Sequence, residues 1–375
     1  MKKGYYIYVE NCGSAGVKRK IAMQIETFSN WFDMKELMIK TSKRTLIQRI
    51  WGLLFWNSFA RDYEAALKEL DNPDFVYIRK TYVDKRYLAF LSDIKKIYPE
   101  CKVIVEIPTY PYKKEMLSSW YTVFMYFKEV LYRHKYKEYI DRFVTYSDDD
   151  EIFRVPTIRT MNGVNVKSIS PIEAVDEYKP NEIHLMAVAF LVRHHGYERV
   201  ITGLHEYYSV EQERKVYFHI VGEGPESKKY RKLVKKYNLK NYVKFYGARF
   251  GEELDQIYNI ADAGLAAFGV YKDGFSKLST IKAREYLAKG LPVILGSEDN
   301  LFSERQNGYG LRFPNDPSAI EIHKIIAYLD SLYLTKGKRL INKDVRDYAH
   351  QSVDNKVTLL SIANYINSDK DMKEE

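Results

Sequence analysis

The chain has 375 residues, enough for two domains. Hydrophobic residues make up 46% and charged residues 29%, which excludes a disordered chain, and no apolar run is long enough to span a bilayer. The net charge of +9 calls for an anionic partner without choosing among nucleotide, nucleic acid and anionic lipid. The first ten residues lack the apolar stretch of a signal peptide and read as a first strand. Two cysteines far apart, Cys12 and Cys101, fit a reduced cytoplasm and give no disulfide framework or zinc motif. The 33 tyrosines suit wet clefts, carbohydrate faces and membrane interfaces, but low-GC codon bias explains much of their number.

In chain order, Tyr5 to Val9 reads as a strand, Cys12 to Gly16 as a turn and Val17 to Phe28 as a helix. Strands follow at Met34 to Ile39, Phe75 to Arg79, Lys102 to Ile107, Phe143 to Tyr146 and Thr157 to Met161. A helix is expected from Tyr87 to Tyr98, and a long helical stretch from Tyr112 to Tyr136. The rhythm lapses between Gly163 and Asn181, where Pro171 and Pro180 sit among charges. It restarts with strands at His184 to Phe190, Lys215 to Val221, Val243 to Tyr246, Gly264 to Ala267 and Leu291 to Leu295. A last helical stretch spans Asp344 to Ile366, and the tail is charged. Alternation of this kind predicts doubly wound parallel sheets. The expected division is an N-terminal domain over 1–170, a linker over 171–182, a second domain over 183–343 and a C-terminal helix over 344–375 that packs back across the domains.

The segment Asp273 to Ile294 is the most informative. Gly274, Phe275, Ser276, Lys277 and Leu278 form a flexible turn leading into a helix that carries Glu285, and Gly290 ends that helix. Backbone N–H groups at a helix start make a phosphate site. An acid further along can hold sugar hydroxyls, as in dinucleotide folds. Taken alone, the segment fits an ordinary helix–strand unit equally well. Two further glycine signals, Val221-Gly222-Glu223-Gly224-Pro225 and Tyr246-Gly247-Ala248, each follow a strand and are weak in isolation. Glu106 ends a buried strand, where it reads either as a general base facing a cleft or as a solvated loop acid. Asp148 to Asp150 reads as the capped start of a helix, not as a metal site. Thr45 to Phe59 and Tyr112 to Tyr136 mix aromatics with Lys and Arg, a pattern of interfacial helices and also of core.

The order of V-G-E-G-P, V-K-F-Y-G, L-D-Q-I-Y-N-I-A-D-A, D-G-F-S and E-Y-L-A-K-G-L-P-V-I resembles the nucleotide-sugar domain of GT-B glycosyltransferases. It is most similar to the family-4 group that builds bacterial surface polysaccharides, over about Ile183 to Ala327. Asn162-Gly163-Val164 and Leu311 to Asp316 also look like segments of that family. The resemblance implies an α/β GT-B architecture, two Rossmann-like doubly wound domains facing a central cleft. It implies transfer from a nucleoside diphosphate sugar, as co-substrate, to a saccharide or lipid-linked saccharide, with retention of configuration and with no cofactor or metal. Glu285 matches the acid that holds the ribose; Gly274 to Lys277 with Leu278 match the loop over sugar and diphosphate. Gly222 and Gly224 border the donor, Tyr246 to Ala248 receive the base, and Gly13 and Gly16 match the N-terminal glycine loop. Two departures stand out. Lys277 occupies the place of the family's first glutamate, and Phe190 and His195 replace an arginine and a lysine, leaving Arg193 to supply charge.

The expected catalytic groups are therefore Glu106, Lys277 and Arg193, with His195 on the donor and Lys18, Arg79 and Tyr110 on the acceptor. The rival expectation is a catalytically silent homologue serving as a partner subunit. A cytoplasmic protein, peripheral on an anionic membrane surface, is expected; nucleic acid is not.

Overall fold

The two strand rhythms become two parallel sheets, in two units: Met1–Met161 with Thr358–Glu375, and Asn162–Val357. The computed structural model describes residues 1–10, 15–41, 45, 47, 61–117, 119–173, 178–302 and 308–368. Gly13 and nearly all of Thr45 to Phe59 lie outside the described residues.

The N-terminal unit holds seven strands: β1 Lys3–Val9, β2 Asp33–Ile39, β3 Phe75–Arg79, β4 Lys102–Ile107, β5 Arg142–Thr145, β6 Glu151–Ile152 and β7 Val155–Arg159. Their order is β2-β1-β3-β4-β5-β7-β6, parallel except for the β6–β7 hairpin. Central β3 and β4 are buried along their whole length, which is why FVYIR and KVIVEI read as continuous apolar runs. Successive side chains alternate faces. Tyr5, Ile7, Val76, Ile78, Val103 and Val105 pack on the Lys85–Ile97 helix side. Tyr6, Phe75, Tyr77, Ile104 and Val144 pack with Phe28 and with Leu359, Ile362 and Ile366 of the C-terminal end. Asp84 caps the Lys85–Ile97 helix, accepting from Tyr87 N at 2.9 Å.

Four expectations shift. The expected Tyr112 to Tyr136 helix is divided into Lys113–Met116, Trp120–Tyr132 and a 3₁₀ turn at Arg133–Lys135. The Asp148 to Asp150 run opens the β6–β7 hairpin instead of a helix. The chain passes between units at Met161–Asn162, ahead of the 171–182 linker, because Val164 and Val166 are already buried in the second unit. There Val164 N bonds Val353 O at 2.9 Å and Arg346 holds Val166 O and Ile169 O. The expected C-terminal helix is Lys338–Ser352 in the second unit, then Asn355–Thr358, then Leu360–Asn367, which completes the first unit's core.

The C-terminal unit has six parallel strands: β8 Glu182–Val188, β9 Lys215–Val221, β10 Val243–Gly247, β11 Ala263–Leu265, β12 Val293–Leu295 and β13 Gly310–Arg312, ordered β10-β9-β8-β11-β12-β13. The three-residue β13 carries too little periodicity to be read from sequence. The order reverses between β8 and β11, and in open α/β sheets a ligand crevice lies outside the carboxyl ends at such a switch.

Candidate active site

At the β8–β11 switch two loops lie backbone to backbone. Phe268 N donates to His195 O at 2.8 Å and Gly269 N to His194 O at 3.0 Å. On the β9 side, Gly222 stands at φ +120°, and a Cβ there would meet Ala189 O at 1.9 Å. A Cβ on Gly224 would meet Leu191 O at 2.4 Å. Both glycines exist for this close approach of the β8 and β9 exit loops, which ties the V-G-E-G-P turn to the rim of the crevice.

The helix Ile281–Lys289 starts at this rim. Its N-cap, Thr280, makes no side-chain capping bond to the first N–H groups of the helix. The Thr280 hydroxyl is buried without a hydrogen-bond partner among the described residues. Lys282 lies in the first turn and Glu285 one turn further on the same face. Lys282 Nζ donates to Tyr197 OH at 3.3 Å, and Tyr197 OH in turn meets Ala266 O at 3.0 Å at the β11 exit. Lys282 is half-buried. Desolvation, partly offset by Glu285, pulls its ammonium down to about 7.

His195 is buried and stacks on Tyr197 with ring centroids 5.5 Å apart. Burial, then Lys282 and His194, push it far below the ordinary histidine range, so it is neutral. Its Nδ1 accepts from Val192 N at 3.2 Å, which leaves the proton on Nε2. His195 thus offers one N–H donor but no charge. The cation at this position is Lys282, which sequence reasoning missed. Its signal was present, since Lys282 precedes Glu285 by one helical turn. Arg193 is exposed and has no ion-pair partner among the described residues, and Phe190 is exposed beside it.

The D-G-F-S turn is held from below. Asn315 of the late loop accepts from Tyr271 N at 2.9 Å and donates to Phe275 O at 2.8 Å. Gly274 closes the Val270–Asp273 3₁₀ turn at φ +76°. Ser276 to Leu278 is extended, pairing with Glu298 through Leu278 N to Glu298 O at 2.9 Å and Glu298 N to Ser276 O at 3.2 Å. Lys277 therefore sits on a bridged, half-buried segment ahead of the helix. Arg284, fully buried, forms a bidentate pair with Asp299 and also holds Thr280 O at 3.3 Å and Asn162 O at 3.1 Å. That pair turns Arg284 inward and so fixes which face of the helix carries Glu285. At the β10 end, half-buried Tyr246 bonds His219 Nδ1 at 2.8 Å, His219 Nε2 lies 3.0 Å from His184 Nδ1, Gly247 takes φ +68°, and Ala248 is exposed.

In the N-terminal unit, Glu106 is fully buried among donors. Its Oε1 accepts from Tyr146 OH at 2.7 Å, Lys20 Nζ at 2.9 Å and Arg79 Nη1 at 3.0 Å; its Oε2 accepts from Tyr77 OH at 3.3 Å. Tyr6 OH lies 3.4 Å away but is closer to Gln24 Oε1, at 2.6 Å, where its single proton goes. Desolvation opposes the charge of Glu106, yet Lys20 and Arg79 overcome it and hold the carboxyl at about 2. A carboxylate so engaged and so acidic is a weak general base near neutrality. Glu106 is thus the counter-ion of two buried cations, and Arg79 is buried and paired to it. Lys20, Tyr77 and Tyr146 of this cluster were not foreseen, because nothing local in the sequence joins them. Gly16 and Lys18 are exposed in the Ala15–Ser29 helix. Tyr110 is half-buried, edge-on to Tyr112 and Phe153. Among the described residues, no group of three His, Cys, Asp or Glu side chains could hold a metal ion.

Two parallel-sheet α/β units of this design are those of GT-B glycosyltransferases. The sequence pattern of the glycosyl transferases group 1 family matches residues 172–360, and the chain belongs to that family. Among solved structures, a glycosyltransferase from Rickettsia africae superposes with a TM-score of 0.61 at 14% identity, over 98% of this chain and 99% of that one. Anabaena HepE in complex with UDP gives 0.61 at 13% identity, over 98% and 99%. The apo lipopolysaccharide outer core galactosyltransferase WaaB gives 0.56 at 13%, over 97% and 99%. No curated protein matches the sequence.

Proposed function

We propose that the C-terminal unit binds a nucleoside diphosphate sugar at the β8–β11 switch and that the protein transfers the sugar to a saccharide or lipid-linked saccharide. The observation that carries this reading is the start of the Ile281–Lys289 helix, which the Thr280 side chain does not cap, with Lys282 and Glu285 one turn apart beside His195. The helix N–H groups and Lys282 receive the diphosphate. Glu285 accepts from the ribose hydroxyls, and the β10 end at Tyr246, Gly247 and Ala248 receives the base. Gly274, Phe275 and Ser276, held by Asn315, with Lys277 and Leu278 behind them, cover the donor sugar. Arg193 and Lys282 neutralise the charge that grows on the leaving diphosphate, and no step of this reading calls for a metal ion. Glu106, held by Lys20 and Arg79, is a weak base for an inverting attack, which supports retention, the family-4 expectation. Surface-polysaccharide or glycoconjugate synthesis at the cytoplasmic face is the setting this acceptor class implies.

A thermal-shift screen against UDP, GDP, dTDP and CMP, followed by their sugars, tests the reading, because a ligand of the native state raises the midpoint. UDP comes first, since the HepE structure contains it. No shift with any nucleotide would overturn the donor site. Binding without turnover on any acceptor would instead identify a silent partner subunit, the outcome that Lys277 in place of a glutamate favours.

A further inference from the structure

The Trp120–Tyr132 helix is built inside out. A surface helix ordinarily turns polar residues to water and apolar ones to the core. Here the exposed positions are Trp120 (69%), Phe124 (43%), Phe127 (57%) and Leu131 (50%). Spacings of three and four residues place all four on one stripe. The opposite face is buried and holds Met125, Lys128 and Glu129. Glu129 is ion-paired to Lys80 at 2.9 Å and accepts from Tyr136 OH at 3.0 Å and Tyr112 OH at 2.5 Å. Those bonds lock the rotation of the helix, so it cannot roll to bury its aromatics without stranding a paired charge.

What covers such a stripe is set by its surroundings. Lys113 precedes it, and Lys135 and Lys137 follow it, all exposed. A second copy of this chain, with its net charge of +9, would bring cations against cations. An anionic lipid surface complements them. The helix has 13 residues, and no helix among the described residues is long and apolar enough to cross a membrane, so the geometry is that of a helix lying in the interface. We propose that this helix docks the protein on an anionic bilayer. Trp120, Phe124, Phe127 and Leu131 enter the boundary between headgroups and acyl chains, and Lys113, Lys135 and Lys137 face acidic headgroups. The proposal is independent of the donor site and stands or falls without it.

The test is co-sedimentation of the full chain with vesicles of phosphatidylcholine alone and of phosphatidylcholine with phosphatidylglycerol. The protein should pellet with the mixed vesicles at low ionic strength, and salt should reduce this binding without abolishing it. Phe124→Ser/Phe127→Ser, at exposed positions, should leave the melting curve unchanged. It should weaken partitioning roughly tenfold or more and remove the salt-resistant part. Lys135→Glu/Lys137→Glu should remove the preference for the anionic lipid. Wild-type protein that stays in the supernatant at low salt would overturn the proposal. So would unchanged binding of the double serine variant, or a dimer in light scattering that this variant splits, which would make the stripe a contact between copies.

Discussion

Glu106→Gln separates an anchoring role from a catalytic one. In the wild type the carboxyl is held at about 2 against an ordinary 4.5. At 1.36 kcal/mol for each pH unit, the fold favours the ionised form by about 3 kcal/mol. Glutamine keeps the shape but leaves Lys20 and Arg79 buried without their counter-ion, and a broken buried pair costs about 3–5 kcal/mol. The loss should fall on the N-terminal unit, so hydrogen exchange of the β1, β3 and β4 amides is the assay, since a single unfolding midpoint of a two-unit chain is ambiguous. Protection there should drop by two or more orders of magnitude, while the C-terminal sheet and nucleotide binding stay as they were. The pH dependence has a definite sign. A carboxyl depressed in the folded state contributes its stability above about 4.5 and loses it as pH falls toward about 2. The wild-type unit should therefore weaken across that window, and the variant should be flat in it. Unchanged exchange together with lost turnover would refute the anchoring role and restore Glu106 as a base.

Three further outcomes follow from the C-terminal unit. Glu285→Ala should weaken nucleotide affinity by about 1.5–3 kcal/mol in calorimetry with the fold intact; unchanged affinity would remove Glu285 from the site. Affinity for a UDP-sugar, whose diphosphate does not titrate near neutrality, should fall as pH rises through about 7, where Lys282 loses its proton. In Lys282→Met affinity should be low and independent of pH over the same range. Gly222→Ala places a methyl 1.9 Å from Ala189 O at φ +120°, so it should lower the melting temperature of this unit. Backbone strain alone contributes roughly 1–3 kcal/mol to that loss, and a wild-type melting curve would show that the two exit loops are free to part.

Legibility in the sequence followed the range of the physics. Buried parallel strands such as Phe75–Arg79 and Lys102–Ile107 announce themselves as unbroken apolar runs, and helices such as Lys85–Ile97 by cap and spacing. What escaped is set by contacts between distant residues. The chain enters its second unit early because Val164 pairs with Val353 and Arg346 gathers Val166, a contact no composition shift records. The Trp120–Tyr132 stripe is ambiguous in sequence for the same reason, since its apolar pattern is that of a core helix until Lys80 and Glu129 show which face is inside.

The donor half shows the same limit at a finer scale. By linear matching, Lys277 replaces a glutamate and His195 replaces a lysine, so the site reads as one that has gained a cation in the wrong place and lost one in the right place. In three dimensions His195 is a neutral N–H donor, and the ammonium stands beside it on the first turn of the Glu285 helix, as Lys282. Lys277 lies on the segment bridged to Glu298, outside that helix. If Lys282 carries the diphosphate charge, the exchange at position 277 concerns the sugar and not the leaving group. A lysine near the sugar can still pair with a carboxylate or phosphate on it. The consequence for the donor screen is specific: acidic sugars should be favoured over neutral ones on the same nucleotide. Lys277→Ala should erase that preference while leaving affinity for the bare nucleotide unchanged. Equal loss of bare-nucleotide affinity in Lys277→Ala would return Lys277 to the diphosphate and break this division of labour.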